Sequence, residues 1–231
     1  MMNKSLVSCI ISFLFIAIAS AQFEKDSLVM QLNLRFKNQP FELNKSYISP
    51  KDTLQISVLK FYLSGIEFHY FDGTILKEKN SFHLIDAADL ESLKLKFPQS
   101  KEKNISKIRF NIGIDSTQST TGALSGDLDP TKGMYWAWQS GYINMKIEGK
   151  SNRCTTRKNQ FHFHLGGYLQ PFYALRTVEI PIKNEDNTLQ LVMDLALFFE
   201  TLDLKEVNTI MSPSKTAMDL ADKTTLLFRI E

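Results

Sequence analysis

The sequence predicts an all-β protein, an antiparallel two-layer β-sandwich with one or two short helices near the C-terminus. Three observations lead there. Apolar residues recur at every second position in seven separate runs, the pattern of strands that bury one face. Apolar residues at helical spacing are confined to two short stretches late in the chain. No helical pattern is long enough to supply the repeated crossovers a parallel sheet needs.

In chain order, Leu28, Met30, Leu32, Leu34 and Phe36 line one face of an opening strand. Leu54, Ile56 and Val58 begin a second strand, which continues through Phe61 and Leu63 toward Phe68. Asp72-Gly73 reads as a turn and Asn80-Ser81 as a loop. Alternation returns at Ile108, Phe110, Ile112 and Ile114, at Ile143, Met145 and Ile147, and at Phe161, Phe163 and Leu165. It closes with Leu189, Leu191 and Met193, then Leu226, Phe228 and Ile230. Between these last two strands, Leu195, Phe198, Phe199 and Leu202 fall on one helical face, with Asp194 placed as N-cap. A second short helix begins near Ser214 and carries Ala217, Met218 and Leu220. One connection stands out: Asp115 to Gly133 is 19 residues of mainly small polar character. A structureless connection of that length is uncommon and is usually functional or disordered.

Composition narrows the class. The chain has 231 residues, 43% hydrophobic, with 27 Lys+Arg against 25 Asp+Glu. That excludes a disordered chain and a nucleic-acid binder steered by bulk charge. With 10 Gly, 7 Pro and 2 Cys, it is neither collagenous nor a disulfide scaffold. Lys4, the apolar stretch Leu6–Ala19 and the small residues Ala19-Ser20-Ala21 predict a signal peptide over residues 1–21, cleaved after Ala21. The stretch is too short to span a bilayer, which takes about 20 apolar residues. It also follows Cys9, whereas a lipoprotein signal would precede its cysteine. The mature chain, residues 22–231, is then a single domain, periplasmic or secreted, with no membrane span. Its formal charge is +1 and Cys154 is its sole cysteine, either buried and inert or a reactive thiol.

Several residues could carry chemistry. Trp136 and Trp138 are the only tryptophans, and on an extended stretch both indoles would project from one face. Paired aromatics on a sheet face are also ordinary core. His162 and His164 alternate with Phe161, Phe163 and Leu165, so both imidazoles take the face opposite the apolar one. His-x-His on a strand offers two nitrogen ligands suited to zinc or copper, and an exposed polar face explains the pattern equally. The remaining histidines are His69, beside a turn, and His83. Asp127 and Asp129 place alternate carboxylates on the long connection, hard oxygen ligands of the kind that hold calcium; Asp before Pro is equally common turn chemistry. The sequence lacks a nucleophile elbow, a P-loop, an HExxH helix and a CxxC pair, and no enzyme activity is expected.

Taken together, several segments resemble the MbnP-like copper-binding proteins. They are Gly126-Asp127-Leu128-Asp129-Pro130, the run Gly133-Met134-Tyr135-Trp136-Ala137-Trp138-Gln139-Ser140-Gly141-Tyr142, and Lys146-Ile147-Glu148-Gly149. Phe61-Tyr62-Leu63-Ser64, Phe82-His83-Leu84-Ile85-Asp86 and His164-Leu165-Gly166-Gly167 belong to the same resemblance. It covers nearly the whole mature chain and points to secreted or periplasmic proteins of Gram-negative bacteria. It implies a β-sheet domain that binds one copper ion through histidines and a tryptophan oxidised to kynurenine by a MauG-like di-haem enzyme. Carried onto this chain, the oxidised residue would be Trp136 or Trp138. The imidazole ligands would be His83 and His164, with His162 and His69 as weaker matches. In the methanobactin-associated members a cysteine often follows the His-Leu-Gly element, where this chain has Gly167-Tyr168. The competing reading is an extracellular module that binds carbohydrate or protein on a platform of Trp136, Trp138 and Tyr142. A zinc hydrolase built on His162 and His164 lacks a third ligand and a general base.

Overall fold

The computed structural model describes residues 27–49, 51–98, 104–122, 124–139, 141–182 and 188–231. The segment expected to be a signal peptide, and its expected cleavage after Ala21, lie outside the described residues. Alternation produced what it predicted: two sheets pressed face to face. The smaller sheet contains β1 (Ser27–Phe36), β2 (Gln39–Pro40), β7 (Lys94–Pro98), β14 (Thr188–Asp194) and β16 (Phe228–Ile230), with β1 at its centre. The larger is organised around an 18-residue strand, β4 (Thr53–Tyr70). Along one edge of β4 run β9 (Ile143–Ser151) and β8 (Ile105–Ile112). Along the other run β3 (Ser46–Ile48), β6 (Phe82–Asp86) and β5 (Ile75–Lys77). The order is completed by β13 (Arg176–Pro181) on β8, β10 (Gln160–Gly166) on β9 and β15 (Thr209–Ile210) on β10. A separate hairpin pairs β11 (Tyr168–Leu169) with β12 (Phe172–Tyr173).

Most pairings are antiparallel, as expected. Two are parallel, β1 with β14 and β10 with β15. Each joins segments far apart in sequence, so no hairpin turn dictates its direction. The side chains that alternation assigned to the interior meet between the layers: Leu28, Met30, Leu32 and Phe36 from β1 against Phe61, Leu63, Phe161 and Phe163 from the larger sheet. Val58 is an exception, half-buried and set opposite Glu148 by a bulge after Ile56. Ile114 and Ile143 join a second cluster instead. The last exception is Leu226. It is exposed, in a 3-10 turn ahead of β16.

Both helices near the C-terminus are present. The first, Ala196–Glu200, buries Phe198 and Phe199. Asp194 does not occupy the N-cap position, which falls to Leu195, but its carboxylate still accepts from Ala196 N–H at 3.1 Å. The second, Lys215–Thr224, is capped by Ser214, whose side chain accepts from Ala217 N–H. The long connection is not structureless. Asp115 caps a short helix, Ser116–Thr120, and 3-10 turns follow at Gly126–Leu128 and Pro130–Lys132. Together with Tyr62, Leu84 and Ile143 it forms a second apolar cluster, in which Leu128, Met134, Trp136 and Tyr142 are buried. Tyr62 alternates with Phe61 and Leu63, which are interior. The second cluster therefore covers the outer face of the larger sheet, where the connection acts as a cap.

Candidate metal centre

That same outer face carries the paired histidines. Within β10, Phe161, Phe163 and Leu165 point into the core, so His162 and His164 point outward. In the antiparallel register, His162 stands opposite Glu148 and His164 opposite Lys146. Met145 and Ile147 of β9 are interior, which turns Lys146 and Glu148 to the same side as the imidazoles. The groups meet at one carboxylate oxygen, Glu148 Oε1. It lies 2.7 Å from His164 Nε2, 3.5 Å from Lys146 Nζ and 3.9 Å from His162 Nδ1. The His164 side chain is only 8% exposed, against 33% for His162. The hydrogen bond from His164, aided by the charge of Lys146, outweighs partial burial and holds the Glu148 carboxyl at about 2, well below its ordinary 4.5.

Trp136, from the second cluster, packs on the same strand as the histidines, at Gly166. The stretch around it is not a regular strand: a single bridge joins Tyr135 to Tyr142, flanked by Trp136 N–H to the Gly141 carbonyl and Ile143 N–H to that of Met134. The two indoles consequently part company. Trp136 is 5% exposed and Trp138 64%, with ring centroids 6.1 Å apart. Gly166 permits the approach. A β-carbon there would meet two atoms of the Trp136 benzo ring at 2.8 and 2.9 Å and the Tyr142 carbonyl oxygen at 2.7 Å. Gly166 is two residues beyond His164 on one strand, so the indole rests on the imidazole-bearing face. Its N–H is buried and has no hydrogen-bond partner among the described residues, an unusual cost for a polar group.

His83 is not brought to this group. It pairs opposite Leu63 in β6, which sets it on the core-facing side of the sheet, edge-on to Phe97 at 6.0 Å. Its Nε2 and Glu78 Oε2 are 2.8 Å apart. His69 lies toward the far end of β4, in an ionic group with Glu67, which also pairs with Lys77 and Arg109. Asp127 and Asp129 hold the connection in place. Asp127 accepts from Leu84 N–H and pairs with Lys132, while Asp129 accepts from the Thr131 N–H and hydroxyl. Both carboxylates are thus engaged in bonds within and around the connection, and among the described residues no three His, Cys, Asp or Glu side chains are grouped to hold a metal. The aromatic platform is likewise not at the surface, because Trp136 and Tyr142 are both interior.

Glu148 was the residue that sequence reading missed as a site member. The signal was present: Lys146 and Glu148 alternate with Met145 and Ile147, as the histidines alternate with phenylalanines. Two successive strands forming a hairpin would bring those polar faces together.

Comparison with known proteins adds the following. The MbnP family model matches residues 25–212, well over half of the chain. Among solved structures, MbnP from Methylosinus trichosporium superimposes with a TM-score of 0.57 at 13% sequence identity, covering 81% of each chain. At that identity the likeness is one of fold. Comparison with curated proteins returns no match.

Proposed function

The chain belongs to the MbnP family, and on that premise we propose that it is a copper-binding protein, periplasmic or secreted, that captures, stores or delivers the metal rather than catalysing a reaction. The observation that carries this reading is the outward-facing pair His162 and His164 on the strand against which Trp136, its indole N–H buried and unpartnered among the described residues, packs its benzo ring at Gly166. Two imidazoles suit copper better than they suit hard ions such as calcium or magnesium. The N-terminal signal pattern supports export, and no helix among the described residues is long and apolar enough to cross a membrane.

The donor set is one short. Among the described residues no three His, Cys, Asp or Glu side chains are grouped to hold a metal. An intact indole cannot fill the gap, because its nitrogen donates a hydrogen bond and offers no lone pair. Kynurenine carries an aryl amine that does. Trp136 is thus the residue for a MauG-like di-haem partner to oxidise, since it rests on the strand that bears the histidines. What favours Trp136 over the exposed Trp138 is this packing on the histidine strand, not access, since Trp136 is the buried one of the two.

The test is copper stoichiometry and intact mass of protein from its native host. Conversion of one tryptophan adds one oxygen and removes one carbon. His164→Ala and His162→Ala should lose most of their copper affinity, and His83→Ala should bind like wild type. Full copper binding by unmodified wild-type protein would refute the kynurenine ligand while leaving a histidine site. Wild-type binding by both His162→Ala and His164→Ala would refute the site.

A further inference from the structure

The ring nitrogens of His164 are not equivalent in this structure. Nε2 faces Glu148 Oε1 at 2.7 Å, so the carboxylate engages that nitrogen and not Nδ1. We propose that Glu148 is a positioning residue that locks His164 in its Nε2–H form and thereby assigns Nδ1 as the nitrogen offered to copper. This rests on the copper reading above and deepens it.

The argument is one of donors and acceptors. A glutamate at neutral pH is a carboxylate and can only accept, so the short contact requires a proton on Nε2. In the neutral ring the lone pair is then on Nδ1. The carboxylate is itself fixed. Its Oε1 is also approached by Lys146 Nζ and His162 Nδ1 at 3.5 and 3.9 Å, and its side chain is 22% exposed. With the His164 side chain 8% exposed, the Nδ1–H tautomer would put a bare Nε2 against a carboxylate, lone pair against lone pair, and a ring flip would replace the hydrogen bond by a C–H contact. Carboxylate–imidazole–metal chains of this type fix ring orientation and raise the basicity of the ligating nitrogen. Glu148 therefore acts through His164 as its hydrogen-bond acceptor, not as a metal ligand.

The experiment has two parts. Long-range nitrogen–proton correlation NMR on the metal-free protein reads the His164 tautomer directly. Copper(I) titration of native-host protein, followed through the same resonances, shows which nitrogen takes the metal. Wild type should show the Nε2–H form and a copper-dependent shift at Nδ1. Glu148→Gln, whose amide can accept or donate, should give mixed tautomers, and Glu148→Ala should lose affinity about 10- to 100-fold. Glu148→Gln keeps the shape of the side chain and serves should the alanine variant fold poorly. An Nδ1–H tautomer in wild type, or unchanged copper affinity in Glu148→Gln, overturns the role of Glu148 and leaves copper binding standing. A wild-type protein that takes up no copper overturns the copper reading and this assignment together.

Discussion

Replacing Gly166 by alanine tests how tightly Trp136 is seated. No unusual backbone dihedral is demanded of this glycine, so the backbone accepts alanine and the effect is purely steric. The new methyl would lie 2.7 Å from the Tyr142 carbonyl oxygen and 2.8 Å from the indole, where ordinary contact begins at 3.4 Å. The indole would have to retreat by about 0.6 Å, and the carbonyl belongs to backbone held by the Tyr135 bridge. Overpacking of this kind costs about 1–3 kcal/mol. The lower entropy of the unfolded alanine chain offsets about 0.4–1 kcal/mol of that. A net loss of about 1–2 kcal/mol corresponds to a fall in Tm of about 2–8 °C for a chain of this size. Calorimetry measures it, and Trp emission should shift to the red as the buried indole is displaced. Copper affinity should fall as well. A variant that melts at the wild-type temperature with unchanged emission would refute the contact geometry and, with it, the packing of Trp136 on the histidine-bearing strand.

Other outcomes follow from burial and charge. Phe198→Ala should destabilise the fold by about 3–5 kcal/mol, read by urea denaturation, because Phe198 is fully buried against Phe163 and Phe199. Cys154 is 4% exposed, and burial first, then the charge of Asp52, pushes its thiol up to about 11. Iodoacetamide at pH 8 should leave it unmodified in the native protein and label it fully in urea. Glu148 has its carboxyl lowered to about 2 in the folded state, so its contribution to stability is complete above its ordinary 4.5 and is lost as pH falls toward 2. The gap in Tm between wild type and Glu148→Gln should accordingly narrow across that window. Glu67, Asp129, Glu179 and Asp203 are also lowered and are common to both proteins, so they cancel from the difference.

Strands were legible because a half-buried sheet writes its period into the sequence. Leu28 to Phe36 and Phe161 to Leu165 occupy the faces that alternation assigned them. The parallel partnership of β1 and β14 was not legible, since nothing local marks a strand for a partner more than 150 residues away. The connection after Asp115 misled for a different reason. Its small polar residues look unstructured, yet its stability comes from contacts remote in sequence: the Tyr62 hydroxyl on the Asp127 carbonyl and that of Tyr142 on the Leu128 carbonyl. At the site, His162 and His164 could be read from alternation alone. The relation between Trp136 and Trp138 could not, because spacing by two implies one face only in a regular strand, and here a lone bridge lets the second indole swing into solvent.

The parallel pairing also governs the order in which the chain can be completed as it is made. Strand β1 emerges first among the described elements, and its neighbours β2 and β7 follow within the first 98 residues. Along the rest of the sheet it waits for Thr188–Asp194. Until then Leu28, Met30 and Leu32 belong to an incomplete sheet with unpaired backbone groups, the kind of edge that recruits other strands. Long-range closure of this sort slows folding and lengthens exposure to aggregation. A chain truncated before residue 188 keeps every histidine and tryptophan described above and loses the strand that completes the small sheet. Deletion from the C-terminal end first removes β16 and then β15, the neighbour of β10 at His162, and once it passes Thr188 it should yield insoluble protein that still carries every one of those side chains.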